Sequence, residues 1–165
     1  REGKGYIYEG GIRVPLLVKW PGKVKPNSTS DVPVITDDML PTIIDMAGIN
    51  HFDQDIDGFS MVPLLTGEGE WNRDKLCWYY PHYSPQAKMP GYAIRMGDYK
   101  LVEYYDPPSV ELFDLSKDIG ETNDLSEVEV EKVKEMKTSF KEWLMDFNPI
   151  LHTENPNYNP NYRSN

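Results

Sequence analysis

A single cysteine, Cys77, leaves this chain without an internal disulfide framework. Its 3 histidines, His51, His82 and His152, are too scattered for their spacing to define a metal site. No apolar run approaches the roughly 20 residues needed to span a bilayer. Basic residues are outnumbered: 17 Lys and Arg against 27 Asp and Glu give a formal net charge of −10 and a pI near 4.7. Nucleic acid and anionic membrane surfaces both require a basic footprint, so neither is an expected partner. A small anionic ligand is still allowed, because local charge decides at a site. What is present suits a globular protein. The 165 residues are 39% hydrophobic and 12% aromatic, enough for a sizeable core. Asn27-Ser28-Thr29 fits the N-glycosylation acceptor pattern in a loop-like stretch.

Hydrophobic periodicity outlines the elements. Ile12, Val14, Leu16, Val18 and Trp20 alternate, which predicts a buried strand over 12–20, stopped by Pro21-Gly22. A helix is expected over 38–47, with Asp38 as N-cap, Pro41 at N3 and Gly48 after its end. Leu40, Ile43, Ile44 and Ala47 would form its apolar stripe. A short helical turn is expected near 60–65. From residue 74 the period becomes two. Leu76, Trp78 and Tyr80 alternate in one strand, and Tyr92, Ile94 and Met96 in the next. In a third, Leu101, Glu103 and Tyr105 face opposite Lys100, Val102 and Tyr104. A fourth runs from Val110 to Leu115, so the region reads as a four-stranded antiparallel sheet. Ser126-Glu127-Val128-Glu129 is a capping box that would open a long helix to Phe147, with Val133, Met136, Phe140, Trp143, Leu144 and Phe147 inward. The Asn-Pro-Asn-Tyr repeat after residue 154 predicts an extended tail.

The stretch with the most chemistry lies near the start. Gly3-Lys4-Gly5 sets one lysine between two glycines, and Glu9-Gly10-Gly11-Ile12-Arg13 follows. Glycine lets the backbone approach an anion closely, and lysine adds a compact, mobile positive charge. That combination can hold an oxyanion such as phosphate or sulfate. An ordinary surface turn is the competing reading of the tripeptide taken alone.

The run Glu9-Gly10-Gly11-Ile12-Arg13-Val14-Pro15-Leu16-Leu17-Val18-Lys19-Trp20-Pro21-Gly22 closely resembles the sulfatase family of the alkaline-phosphatase superfamily. So do Asp38-Met39-Leu40-Pro41-Thr42, Asp57-Gly58-Phe59-Ser60 and Arg95-Met96-Gly97-Asp98-Tyr99-Lys100-Leu101. Glu111-Leu112-Phe113-Asp114-Leu115, with Asp118, Glu121 and Asn123-Asp124-Leu125, completes an ordered series over residues 1–126. The resemblance implies an α/β, alkaline-phosphatase-like fold, of which this is the C-terminal portion. Residues 1–73 would end the catalytic α/β domain. Residues 74–150 would form a small α+β subdomain, an antiparallel sheet with a long helix, and 151–165 an extended tail.

Sulfatases carry a Cys-x-Pro-Ser-Arg type motif whose cysteine or serine becomes formylglycine, the nucleophile. Cys77, in Leu76-Cys77-Trp78-Tyr79, lacks that context and reads as a buried structural thiol. The calcium-binding aspartates of the family are also absent from these residues. The resemblance therefore implies a C-terminal fragment, inactive alone, whose full-length parent would use formylglycine and Ca2+. It implies that Lys4 is the catalytic lysine contacting the sulfate and the leaving group, and that His82 binds the sugar at the mouth of the site. Glu9 and Arg13 would be structural. The expected partners are a sulfated small molecule or glycan and the rest of the sulfatase chain. A periplasmic or secreted location is implied. A related phosphatase, phosphodiesterase or phosphonate hydrolase, and a non-catalytic binding domain, are the alternatives.

Overall fold

The computed structural model describes residues 1–49, 53–85, 89–147, 149, 151, 153 and 155–157. His51, His152 and most of the Asn-Pro-Asn-Tyr tail lie outside them. The chain packs as two units, Arg1–Arg13 with Cys77–Asn165, and Val14–Leu76. The N-terminal segment thus belongs to the packing of the sheet, far from it in sequence.

The first unit is built on a four-stranded sheet in the order β1-β2-β3-β4. Its strands are β1 (Leu76–Tyr80), β2 (Gly91–Met96), β3 (Tyr99–Tyr105) and β4 (Pro108–Asp114). β2 pairs antiparallel with β3 and β3 with β4, in a register that sets Ile94 against Leu101 and Leu101 against Leu112. Gly97, at φ +58°, makes the turn between β2 and β3, as its place before Asp98 suggests. Because side chains alternate across a strand, the register sorts them onto two faces. One carries Tyr92, Ile94, Leu101 and Leu112, which pack on Met136 and Phe140 of helix α4 (Val130–Asp146). Tyr92 stacks on Phe140 with ring centroids 3.7 Å apart. The other face carries Ala93, Val102, Tyr104 and Phe113. It is covered by Ile7 and Tyr8, which lead into the single-turn helix α1 (Glu9–Ile12).

α4 starts later than its capping box suggests. Asp124 takes the role expected of Ser126: its carboxylate accepts from the amides of Leu112 and Ser126 and from the Ser126 hydroxyl. A carboxylate is the stronger acceptor, so residues 126–128 form a separate turn and the helix begins at Val130. Phe147 is half exposed beyond its end. Cys77, on the α4 side of the sheet, is partly rather than fully buried.

The second unit contains a 3-10 turn (Thr36–Asp38), α2 (Met39–Met46) and α3 (Val62–Thr66). Two expectations fail here. Residues 13–20 form no strand, and Val14 and Leu17 are 79% and 93% exposed. A strand needs a neighbour to complete its hydrogen-bond ladder, and none of the described residues supplies one. The stripe of α2 also faces outward, since Leu40 and Ile43 are exposed. The buried positions are polar instead. Asp38 accepts from the amides of Ile35 and Phe59 and pairs with Arg73. Thr42 donates to the Asp38 carbonyl and accepts from the amide of Met61. Asp38 is thus a loop-binding hub rather than a side-chain cap.

Candidate functional site

Lys4 sits in the turn that opens the chain, with Gly5 at φ +95° and the Tyr6 amide donating to the Gly3 carbonyl at 3.1 Å. Its side chain is exposed, and among the described residues it makes no hydrogen bond or ion pair. A cation so placed is available to an incoming anion. The segment just after it is fixed. Tyr8 is buried against Tyr104 and Phe113, and its hydroxyl donates to Glu111. Arg1 lies over the Tyr8 ring at 4.5 Å and pairs with Glu111 at 2.7 Å.

Glu9 is the next anchor. Its Oε1 accepts from Lys100 Nζ at 2.9 Å. Its backbone N–H donates to Glu121 Oε2 at 2.7 Å. Lys100 also contacts Glu121 Oε1 at 2.8 Å, and both Lys100 and Glu121 are 0% exposed. Arg13 Nη1 lies 3.8 Å from the second oxygen of Glu9. The structural reading of Glu9 and Arg13, including their pairing with each other, agrees with these contacts. Sequence reasoning missed Lys100 and Glu121 as a pair. The signal for Lys100 was there: period two puts it on the face of Val102 and Tyr104, where a lysine needs an anion.

The Gly10-Gly11 pair explains itself sterically. A Cβ on Gly10 would fall 2.2 Å from the Glu2 carbonyl oxygen, and one on Gly11 2.1 Å from that of Tyr6 and 2.7 Å from that of Gly3. The α1 backbone therefore rests directly on the turn that carries Lys4.

His82 follows β1 on an exposed loop. Its ring meets the edge of Tyr80 at 5.6 Å and 90°. The adjacent Tyr83 donates to Asp106 Oδ2 at 2.5 Å, tying this loop to the β3–β4 turn. Lys4 and His82 stand on separate elements, and among the described residues no direct contact joins them.

Other groups in this unit are poor reactants. Burial, more than the nearby Glu111 charge, pushes the Tyr104 phenol up to about 12, and burial with the Glu111 bond raises Tyr8 well above the usual phenol range. Neither ionises near neutral pH, so neither serves as base or nucleophile. Among the described residues, no group of three His, Cys, Asp or Glu could hold a metal ion. The described residues therefore offer no cluster of side chains that fits a calcium ion. The pocket lined by Tyr99, Asp114, Lys117, Asp118, Asn123, Leu125 and Glu129 carries three carboxylates against one lysine and does not suit a sulfate.

A turn bearing an exposed lysine is thus clamped onto one face of an antiparallel sheet whose other face packs on a helix. The family model for the C-terminal part of N-sulphoglucosamine sulphohydrolase matches residues 3–148, beginning at that turn. The chain belongs to the sulfatase family. It is 36% identical over 161 residues to a sulfatase of Formosa agariphila, covering 88% of this chain and 29% of the relative. It is 35% identical to human arylsulfatase A over 148 residues, covering 76% of this chain and 28% of the relative. The structure of BT4656 in complex with its substrate D-glucosamine-2-N,6-O-disulfate superposes with a TM-score of 0.74 at 29% identity, covering 87% of this chain and 30% of that one. The fold is thus the C-terminal portion of an alkaline-phosphatase-like sulfatase. The chain spans under a third of the length of these relatives.

Proposed function

We propose that these residues form the part of a sulfate-ester hydrolase that supplies the cation for the reacting sulfate. The observation that carries this is Lys4, exposed and without a partner among the described residues, on a turn whose other side is clamped to the sheet. In hydrolysis the bond from sulfur to the ester oxygen breaks, and negative charge grows on the departing oxygen. A preorganised ammonium stabilises that charge, at about 3–4 kcal/mol for one such contact. Cys77 lacks the formylglycine sequence context and the described residues hold no group of three His, Cys, Asp or Glu able to hold a metal ion, so the formylglycine and the Ca2+ expected of the family would be supplied by other segments. When bound, that ion would supply positive charge to the sulfate oxygens.

The substrate class is a sulfated carbohydrate. Two relatives support this. One is described as an N-acetylglucosamine-6-O-sulfatase of Bacteroides thetaiotaomicron, 32% identical over 127 residues, and the other is BT4656 with its disulfated glucosamine. His82, held by its loop and by Tyr80, is the residue we assign to the sugar. A location outside the cytoplasm goes with such a substrate.

The test uses a complete sulfatase containing these residues. Lys4→Ala should lower kcat by about 10²–10³-fold on a sulfated glucosamine, with the fold intact by circular dichroism. Unchanged kcat/KM would make Lys4 a turn residue only. His82→Ala should raise KM on the sugar and leave turnover of a small aryl sulfate nearly unchanged, because binding lost equally in ground and transition states does not alter kcat. Equal losses on both substrates would put His82 at the reacting centre. A phosphate monoester as control should turn over far more slowly than the sulfate. The reverse order would favour a phosphatase.

A further inference from the structure

We propose that the buried triad Lys100–Glu9–Glu121 exists to fix the Lys4 turn, which makes Lys100 and Glu121 positioning residues for sulfate-ester hydrolysis; this rests on the reading of Lys4 above. The triad joins three distant stretches of chain. Lys100 is in β3, Glu9 opens α1, and Glu121 lies in the loop between β4 and α4. Glu9 is held twice, by its carboxylate through Lys100 and by its backbone N–H through Glu121. That fixes both the place and the rotation of α1. The close approach of Gly10 to Glu2 and of Gly11 to Gly3 and Tyr6 then passes the constraint to the Gly3-Lys4-Gly5 turn through backbone alone.

Adhesion does not explain the triad. Ile7 and Tyr8 already bury apolar surface on the same face of the sheet. Withdrawing three charges from water is costly, and an apolar replacement is often as stable. Glu121 also adopts φ +54°, a left-handed conformation unfavourable for a side chain with a Cβ. What charges add over apolar packing is direction: a hydrogen-bonded carboxylate permits one orientation where a methyl group permits several. Sub-ångström placement matters for a cation facing a transition state, since a 1 Å error can lower the rate about 10²-fold.

A double-mutant cycle in a complete sulfatase separates positioning from simple stabilisation. Glu121→Gln keeps the shape and leaves the Lys100–Glu9 pair in place. It should lower kcat on a sulfated sugar by about 10-fold, with KM changed less than about 2-fold. In a Lys4→Ala background the same substitution should change kcat by less than about 2-fold, because the group being positioned is gone. Gly11→Ala disturbs the same contact without touching any charge and should give the same dependence on Lys4. It stands in if Glu121→Gln does not fold. Equal losses in both backgrounds would overturn the inference and leave the triad a purely structural device. Full activity of Lys4→Ala itself would overturn the reading of Lys4, and the inference with it. Loss with Lys4→Ala but strict additivity would overturn the inference alone.

Discussion

The two packing units answer differently to the same kind of sequence pattern. In the sheet unit, alternating residues land where the period puts them: Tyr92, Ile94, Leu101 and Leu112 face α4, while Val102 and Tyr104 face the N-terminal segment. In residues 14–76, equally clear patterns lead to exposed side chains, and the buried polar residues Asp38 and Thr42 are joined by only Met61 and Leu76 among the described apolar ones. Periodicity reports which face of an element seeks cover. It does not report whether a partner is at hand. The sheet has its partners in α4 and in residues 1–13, whereas the run 13–20 has no paired strand among the described residues. The first unit is therefore a hydrophobic core with one charged anchor, and the second a set of loops gathered on a carboxylate.

The largest effect expected from this contrast is on activity. The isolated chain, assayed with a chromogenic aryl sulfate and added calcium, should show no turnover above a buffer blank, because its cysteine lacks the formylglycine context and the described residues hold no metal cluster. Activity of a pure sample would break the account. Next come the cores. Phe140→Ala should destabilise the sheet unit by about 3–5 kcal/mol, since Phe140 is buried and stacked on Tyr92. Asp38→Ala should leave the amides of Ile35 and Phe59 and the Arg73 guanidinium without their acceptor, costing about 3 kcal/mol. Hydrogen exchange would localise each loss. Opening of 14–76 with protection of β2–β3 intact is the expected pattern for Asp38→Ala, and the reverse for Phe140→Ala. Uniform loss in both variants would show that the units do not unfold separately.

Smaller effects sharpen the contrast. Leu17→Ser, at 93% exposure, should change stability of this chain by less than about 0.5 kcal/mol despite its apolar run. A loss above about 2 kcal/mol would mean that the run is covered. The smallest effect is at Asp118, whose carboxylate sits below its usual 3.8 because it accepts from the amides of Asn123 and Thr122. A lowered folded-state value contributes stability above the unfolded value and loses it as pH falls through the folded one. The difference in Tm between wild type and Asp118→Asn should be present at pH 7 and narrow once the pH drops below 3.8. A gap that persists in acid would assign the effect to shape rather than charge.

Much of the sheet unit was legible beforehand. All four strands follow from period, and so do the inward residues of α4 except Phe147, which lies half exposed beyond its end. The start of α4 was not, because Ser126 and Glu129 satisfy a capping rule that a nearby Asp124 overrides. In the candidate site, Lys4 and Glu9 were visible as a local motif. Glu121 was not, since its role comes from a loop conformation that brings it to residues more than a hundred positions earlier. Local rules see neighbours in sequence, and the anchor of the Lys4 turn is made entirely of long-range contacts. Asp38 was misread for the same reason. It looks like an N-cap in sequence, but its acceptors serve Phe59 and Arg73 from later loops.

In the function proposed above, the exposed Lys4 ammonium meets charge that develops on the departing oxygen. A series of sulfate esters with leaving groups of increasing basicity, from nitrophenol to a sugar hydroxyl, tests it directly in a complete sulfatase with and without Lys4→Ala. The poorer the leaving group, the more negative charge its oxygen must carry without help. The loss should grow along the series, reaching about 10²–10³-fold for the sugar and staying near 10-fold or less for nitrophenol. A loss of constant size across the series, or none, would contradict it.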